Sequence, residues 1–149
     1  MVLKKLSEEW ISRVAELERN SFSHPWSEQS IREVMDNPLF CILLACEGET
    51  LLGYGGAYFA GGEANVTNIA VAPEFRARGI GTALVRGILS EAKNRNAERA
   101  FLEVRVGNAP AIHIYEKCGF VRKGVRKNFY TDPTEDGYIY ACRIDGQEG

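Results

Sequence analysis

A strand that passes through a glycine-bearing turn into a long helix, and on to a second strand, constrains this chain more than any other feature. Ala64 to Val71 reads as a strand, and Leu84, Val85, Ile88, Leu89 and Ala92 fall on one helical stripe. From Arg99 to Val106 the residues alternate, with Ala100, Leu102, Val104 and Val106 on one face and Arg99, Phe101, Glu103 and Arg105 on the other. The helix, from about Gly79 to Arg95, makes the connection long enough for a right-handed crossover, so the two strands are expected to lie parallel.

The flanking segments supply the rest of a mixed α/β fold. Ser7 is the expected cap of a first helix carrying Trp10, Ile11, Val14 and Leu17. After the break at Pro25, Ser27 caps a short second helix with Ile31, Val34 and Met35, which Asn37-Pro38 stops. Leu39 to Cys46, Leu51 to Phe59 and Ala64 to Val71, joined by short glycine turns, suggest an antiparallel meander. Asn108 caps a helix with Ala111, Ile114, Tyr115 and Cys118 on one face, and Gly119 suits its left-handed end. Val121 to Val125 and Tyr138 to Ile144 close the order ααβββαβαββ, with one more strand suggested at Val2 to Leu6. No repeat, linker or low-complexity run divides the chain, so residues 1–149 are expected to form one domain. A domain of this length buries roughly 70% of the surface its unfolded chain exposes.

Composition excludes several classes. The 18 basic residues against 20 acidic ones give a net charge of -2, which argues against stable nucleic-acid binding through a general basic surface. The longest apolar run, Leu39 to Cys46, is far too short to span a bilayer, and the N-terminal MVLKKLSEEW lacks an apolar signal core. Cys41, Cys46, Cys118 and Cys142 form no C-x-x-C pair and have no metal-ligand spacing, so they read as reduced core thiols. A cytoplasmic protein without membrane or metal is expected.

The chemistry concentrates where the strand meets the long helix, at NIAVAPEFRARGIGTAL, residues 68–84. Free N–H groups and the positive end of the helix dipole make such a start an anion site, and Gly79 and Gly81 would let a phosphate approach the backbone. A dinucleotide fingerprint would need a small residue where Leu84 stands, and a P-loop would need a lysine followed by Ser or Thr. Both fail; on spacing alone the glycines serve equally well to tighten a loop.

Taken whole, Arg76-x-x-Gly79-x-Gly81 after a strand ending in Val71 resembles the acetyl-coenzyme-A signature of the GNAT acetyltransferase superfamily. The element order agrees over nearly the whole chain. SHPWSEQSI, NIAVAPEFRARGIGTAL, LEVRVGNAPAIHIYEKCGF and RKNFY resemble the RimI-type branch, which acetylates the N-terminal alanine of a small-subunit ribosomal protein. Relatives acting on other protein N-termini, archaeal ones included, share much of the pattern, and Arg76 replaces a common glutamine. The resemblance implies a GNAT fold: a mostly antiparallel sheet, one parallel strand pair at the coenzyme cleft, and helices on both faces. It implies acetyl-coenzyme A as co-substrate, its pyrophosphate cradled by backbone from Arg76 through Ala77, Arg78, Gly79, Ile80 and Gly81 to Thr82. Ile69, Ala70 and Val71 would pair with the pantetheine arm, the Val71 N–H polarising the thioester carbonyl. Asn108 matches an asparagine contacting that arm, alongside its role as helix cap.

By the same resemblance Glu103, otherwise a solvated carboxylate on a polar strand face, is the general base. Tyr115, otherwise a core residue with an anchored hydroxyl, is the acid that protonates the leaving thiolate. Trp26, Asn128 and Tyr130 are implied peptide contacts, while Phe129 is expected to pack. Glu135-Asp136 matches an acidic pair that could steer a basic tail or simply belong to a turn. Arg122, Lys123, Arg126 and Lys127 read as a solvated face, and His113 as an exposed residue without a role. An α-amine needs only about 1 kcal/mol to lose its proton at pH 7, against roughly 4.6 kcal/mol for lysine, which favours a protein N-terminus as acceptor. No cysteine matches a nucleophile, so direct attack by the amine is expected. A lysine or small-amine acetyltransferase and a non-catalytic acyl-coenzyme-A-binding module are the alternatives.

Overall fold

The computed structural model describes residues 1–144. Its elements are β1 (Val2–Lys5), α1 (Ile11–Ser21), α2 (Glu28–Met35), β2 (Phe40–Glu47), β3 (Thr50–Ala60) and β4 (Glu63–Val71), followed by α3 (Ile80–Asn94), β5 (Arg99–Arg105), α4 (Ala109–Lys117), β6 (Val121–Tyr130) and β7 (Glu135–Arg143). All seven strands join one sheet in the order β1-β2-β3-β4-β5-β7-β6. The crossover through α3 makes β4 and β5 the parallel pair, and the other neighbours are antiparallel.

The apolar run of β2 fails to alternate because both faces of this strand are covered. Cys41, Leu43 and Ala45 enter a core with Leu84, Val85 and Ile88 of α3 and Tyr115 of α4. Ile42, Leu44 and Cys46 enter a second core on the other face with Trp10, Ile11, Val14 and Leu17. All four cysteines are free thiols, Cys41 and Cys46 buried and Cys118 and Cys142 half-buried. Burial pushes each above the ordinary thiol range, Cys142 to about 11.

Local chemistry sets most boundaries. Ser27 Oγ accepts the Ser30 N–H, and Asn108 Oδ1 accepts that of Ala111. Gly119, at φ 99°, ends α4: its N–H donates to the Glu116 carbonyl and that of Phe120 to the Tyr115 carbonyl. The Phe120 ring closes this Schellman turn against Tyr115, centroids 5.9 Å apart.

Two expectations needed correction. Ser7 makes no side-chain cap, because the chain first forms a 3-10 turn over Glu8–Trp10 and α1 starts only at Ile11. The last two strands are longer than their apolar residues suggest. β6 is an edge strand exposed along most of its length and bulged twice against β7, which erases a two-residue period.

Candidate active site

β4 and β5 are paired only at Glu63–Arg99, Ala64–Ala100 and Asn65–Phe101, although β4 continues to Val71 and β5 to Arg105. They part where β4 carries a bulge: Gly56 faces Asn68 and Ala57 faces Val66, which leaves Thr67 without a partner. A bulge bends its strand, so the sheet opens here into a wedge. The Ala72 N–H donates to Leu52 on β3. Antiparallel alternation then turns the backbone of Ala70 towards β3 and those of Ile69 and Val71 into the wedge. Ala70 thus departs from the expected pattern, since its polar groups are used within the sheet and its side chain lies in the second core. The Val71 carbonyl receives the Arg76 Nε at 3.3 Å.

At the mouth of the wedge α3 begins. Ala77 (φ 65°) and Gly79 (φ 78°) are left-handed, and the first helical bond runs from the Ala83 N–H to the Gly79 carbonyl. The N–H groups of Ile80, Gly81 and Thr82 therefore have no acceptor within the helix, and exposed Arg76 and Arg78 flank them. The two glycines differ in purpose. A Cβ at Gly79 would meet nothing, so only its left-handed φ favours glycine, whereas one at Gly81 would come within 2.9 Å of the Ile114 Cδ1. Gly81 thus also lets α3 close on α4, while its N–H remains among the orphan donors. Orphan N–H groups, a helix dipole and two arginines fit a pyrophosphate, and the edge of Ile69 and Val71, which has no strand partner in β5, fits an amide-bearing arm. Among the described residues no three His, Cys, Asp or Glu side chains cluster as metal ligands.

Glu103 stands exposed on β5, its Oε2 3.7 Å from the Arg126 Nε. Tyr115 is buried on α4. Burial, reinforced by the neighbouring Tyr130 and Cys118, pushes this phenol well above its ordinary range. Tyr130 is pushed to about 12 by burial first and then by the Glu103 carboxylate, with Arg105 opposing. Glu103 lies on β5 beyond its last pair with β4, at the open end of the wedge, and the Tyr130 hydroxyl is within electrostatic reach of both Glu103 and Tyr115.

Two loops meet across that end. In the α1–α2 loop, the Ser23 hydroxyl donates to the Asp132 carbonyl at 2.6 Å, and the His24 Nε2 lies 3.1 Å from the Thr131 Oγ1 and 3.0 Å from the Asp132 Oδ2. Trp26, in the same loop, is half-buried against the second core. The β6–β7 hairpin is tied down by Arg105, which donates to the Thr131 and Pro133 carbonyls and to Glu135, and lies 4.6 Å from the Tyr130 ring. Glu135 also accepts the Gly107 N–H, and Asp136 accepts that of Asn128. The acidic pair therefore holds the hairpin together. Asn128 sits at φ 53° in a bulge, and Phe129 is exposed where packing was expected. Sequence reasoning missed Arg105, Ser23 and Thr131, whose partners lie 26 to 109 positions away. It also missed Glu18, buried on α1. A groove of about 1060 Å³ between the C-terminal half of α3 and the far ends of β5, β6 and β7 lies away from these residues.

The sequence pattern described as the Acetyltransferase (GNAT) family matches residues 11–120. The chain belongs to this family. It is an N-acetyltransferase, and GNAT acetyltransferases use acetyl-coenzyme A. A Bacillus subtilis relative, provisionally named a ribosomal protein bS18-alanine N-acetyltransferase, is 39% identical over 136 residues, covering 91% of this chain and 90% of its own. The Escherichia coli K12 protein named for the same activity is 32% identical over 130 residues, covering 86% and 87%. A crystal structure of the E. coli ribosomal-protein-S18-alanine N-acetyltransferase superposes with a TM-score of 0.86 at 28% identity, over 96% of this chain and 93% of that one. The structure of Ard1 from Thermoplasma volcanium gives 0.84 at 25% identity, over 96% and 97%. Both superpositions show the same overall fold.

Proposed function

We propose that this GNAT enzyme acetylates the α-amine of a protein N-terminus, and specifically the N-terminal alanine of a small-subunit ribosomal protein. The observation that carries this reading is the wedge with its two bridging loops: a free strand edge and an anion-ready helix start on one side, and Glu103, Tyr115 and Tyr130 on the other. A groove walled by loops, with a carboxylate at its base, suits an extended chain end that carries a cationic amine. The names of the bacterial relatives support the ribosomal substrate. Four free thiols raised by burial fit a reducing compartment, so we place the enzyme in the cytoplasm.

Acetyl-coenzyme A supplies the acetyl group when bound. The orphan N–H groups of Ile80, Gly81 and Thr82, with Arg76 and Arg78, would hold its pyrophosphate, Ile69 and Val71 its arm, and Asn108 the end of that arm. Glu103 takes a proton from the ammonium, directly or through water, so that the neutral amine can attack. Tyr115, kept protonated by its burial, gives its proton to the leaving sulfur. Trp26, Asn128 and Tyr130 orient the peptide.

Mass spectrometry of peptides with free Ala, Ser or Met N-termini, beside a blocked lysine peptide, tests the proposal. Acetyl on the alanine peptide alone supports the ribosomal substrate, and acetyl on several free N-termini supports a broader N-terminal acetyltransferase. Modification of the blocked lysine peptide alone overturns the α-amine assignment.

A further inference from the structure

Glu18 is an ionisable side chain in a place where apolar ones surround it. It is fully buried on α1 beside Val14, Ala15 and Leu17 of the second core. Burial pushes its carboxyl above the ordinary range, against the opposing pull of two hydrogen bonds. A carboxylate kept out of water, with no salt-bridge partner among the described residues, is a costly choice for a helix whose neighbouring positions need only hydrocarbon. What it gains is two donors from two different elements. Its Oε1 accepts the backbone N–H of Trp26 at 2.7 Å, and its Oε2 accepts the Asn68 Nδ2 at 2.6 Å. The same Asn68 amide lies 3.3 Å from the Tyr54 hydroxyl.

The two partners belong to the two elements that border the proposed site, the α1–α2 loop and β4. Trp26 belongs to the loop that crosses the wedge to reach Thr131 and Asp132. Asn68 directly follows the bulged Thr67 and precedes Ile69, the first residue whose backbone turns into the wedge. We infer that Glu18 is a positioning residue that locks the α1–α2 loop to the open edge of β4, and so sets the groove between the coenzyme arm and the peptide wall. This role rests on the N-terminal acetyltransferase reading, because it matters to catalysis only if the peptide passes Trp26. Glu18 touches neither substrate in this scheme and acts through Trp26 and Asn68. An apolar isostere would leave the Trp26 N–H without a partner, whereas glutamine can serve both sides. Its oxygen takes the Trp26 N–H, and its amide donates to an Asn68 side chain turned over.

The test compares Glu18→Met with Glu18→Gln in steady-state kinetics with a free-N-terminus peptide that wild type acetylates, in coenzyme-A binding by calorimetry, and in hydrogen exchange over residues 22–28. The methionine variant is expected to raise peptide KM at least tenfold, to leave kcat and coenzyme Kd within twofold, and to speed exchange at the Trp26 amide. The glutamine variant should restore KM to within threefold of wild type. If Glu18→Met does not fold, Asn68→Ala breaks the same link from the strand side and should give the same split between KM and kcat. Equal behaviour of the methionine and glutamine variants, or parallel losses of KM, kcat and coenzyme binding, would overturn the inference. If wild type acetylates no peptide, the functional reading falls, while the exchange measurement still tests Glu18 as the lock on the loop.

Discussion

Single side chains carry the chemistry proposed here, and two substitutions separate catalysis from binding. Glu103→Gln and Tyr115→Phe should each lower kcat by about 10²–10⁴-fold, the usual worth of a positioned acid or base. Coenzyme-A affinity measured by calorimetry should stay within twofold, because neither residue lies at the start of α3; near-normal turnover in both variants would remove them from the mechanism. The raised Tyr115 also predicts a pH profile. Its phenol stays protonated until well above pH 10, so kcat/KM for an α-amine substrate should rise through about pH 8, as the amine deprotonates, and then stay level to about pH 10. The stability linkage has a definite sign: a folded pKa above the unfolded value of about 10 favours the native state fully below pH 10 and loses that contribution as pH rises beyond it. Alkaline unfolding followed by circular dichroism should begin near pH 10 and be delayed in Tyr115→Phe. The sequence showed Glu103 on a polar strand face and Tyr115 on an apolar helical one, because both follow from periodicity. It hid Glu18, because a lone acid in a helix looks like an exposed one until its two distant partners are known.

Helices and strands reveal themselves to the extent that their ends and faces are chemically marked. The caps at Ser27 and Asn108 and the Schellman turn at Gly119 were legible because each is a local hydrogen-bonding solution at a fixed spacing. The full length of β6 was not, since an exposed edge strand with two bulges has no buried face to write into its sequence. The start of α3 offers a clean test of conformational need against contact. Gly79→Ala should cost about 1–2 kcal/mol in chemical denaturation, the penalty of a left-handed conformation, because the added methyl has open space around it. The same change should weaken coenzyme-A binding in calorimetry by disturbing the N–H groups that follow. Gly81→Ala should act differently, by pressing on the Ile114 methyl group, and its effect should be relieved by Ile114→Val. Unaltered coenzyme affinity in Gly79→Ala would mean that this turn does not shape the anion site.

For the molecule as a whole, the parallel pair and the mixed sheet followed from one crossover, and the meander from short turns. The depth to which β4 and β5 stay paired did not, because it depends on a bulge at Thr67 that no residue pattern announces. A ligand lying along the slit contacts both halves, so coenzyme A at a hundredfold excess over its Kd should stabilise the fold by about 2.7 kcal/mol. In a thermal-shift assay this corresponds to a rise of roughly 5–11 °C for a chain of this length. No shift at saturating coenzyme would show that the wedge is not its seat. The three-pair join between β4 and β5 also has a mechanical meaning. A plate cut along part of its length is stiff at the uncut end and compliant at the other, and its softest deformation is a scissoring of the two prongs. In this protein the prongs are the β1–β4 and β5–β7 halves, and a scissoring of the two would change the gap between the free edge of β4 and the side chain of Glu103.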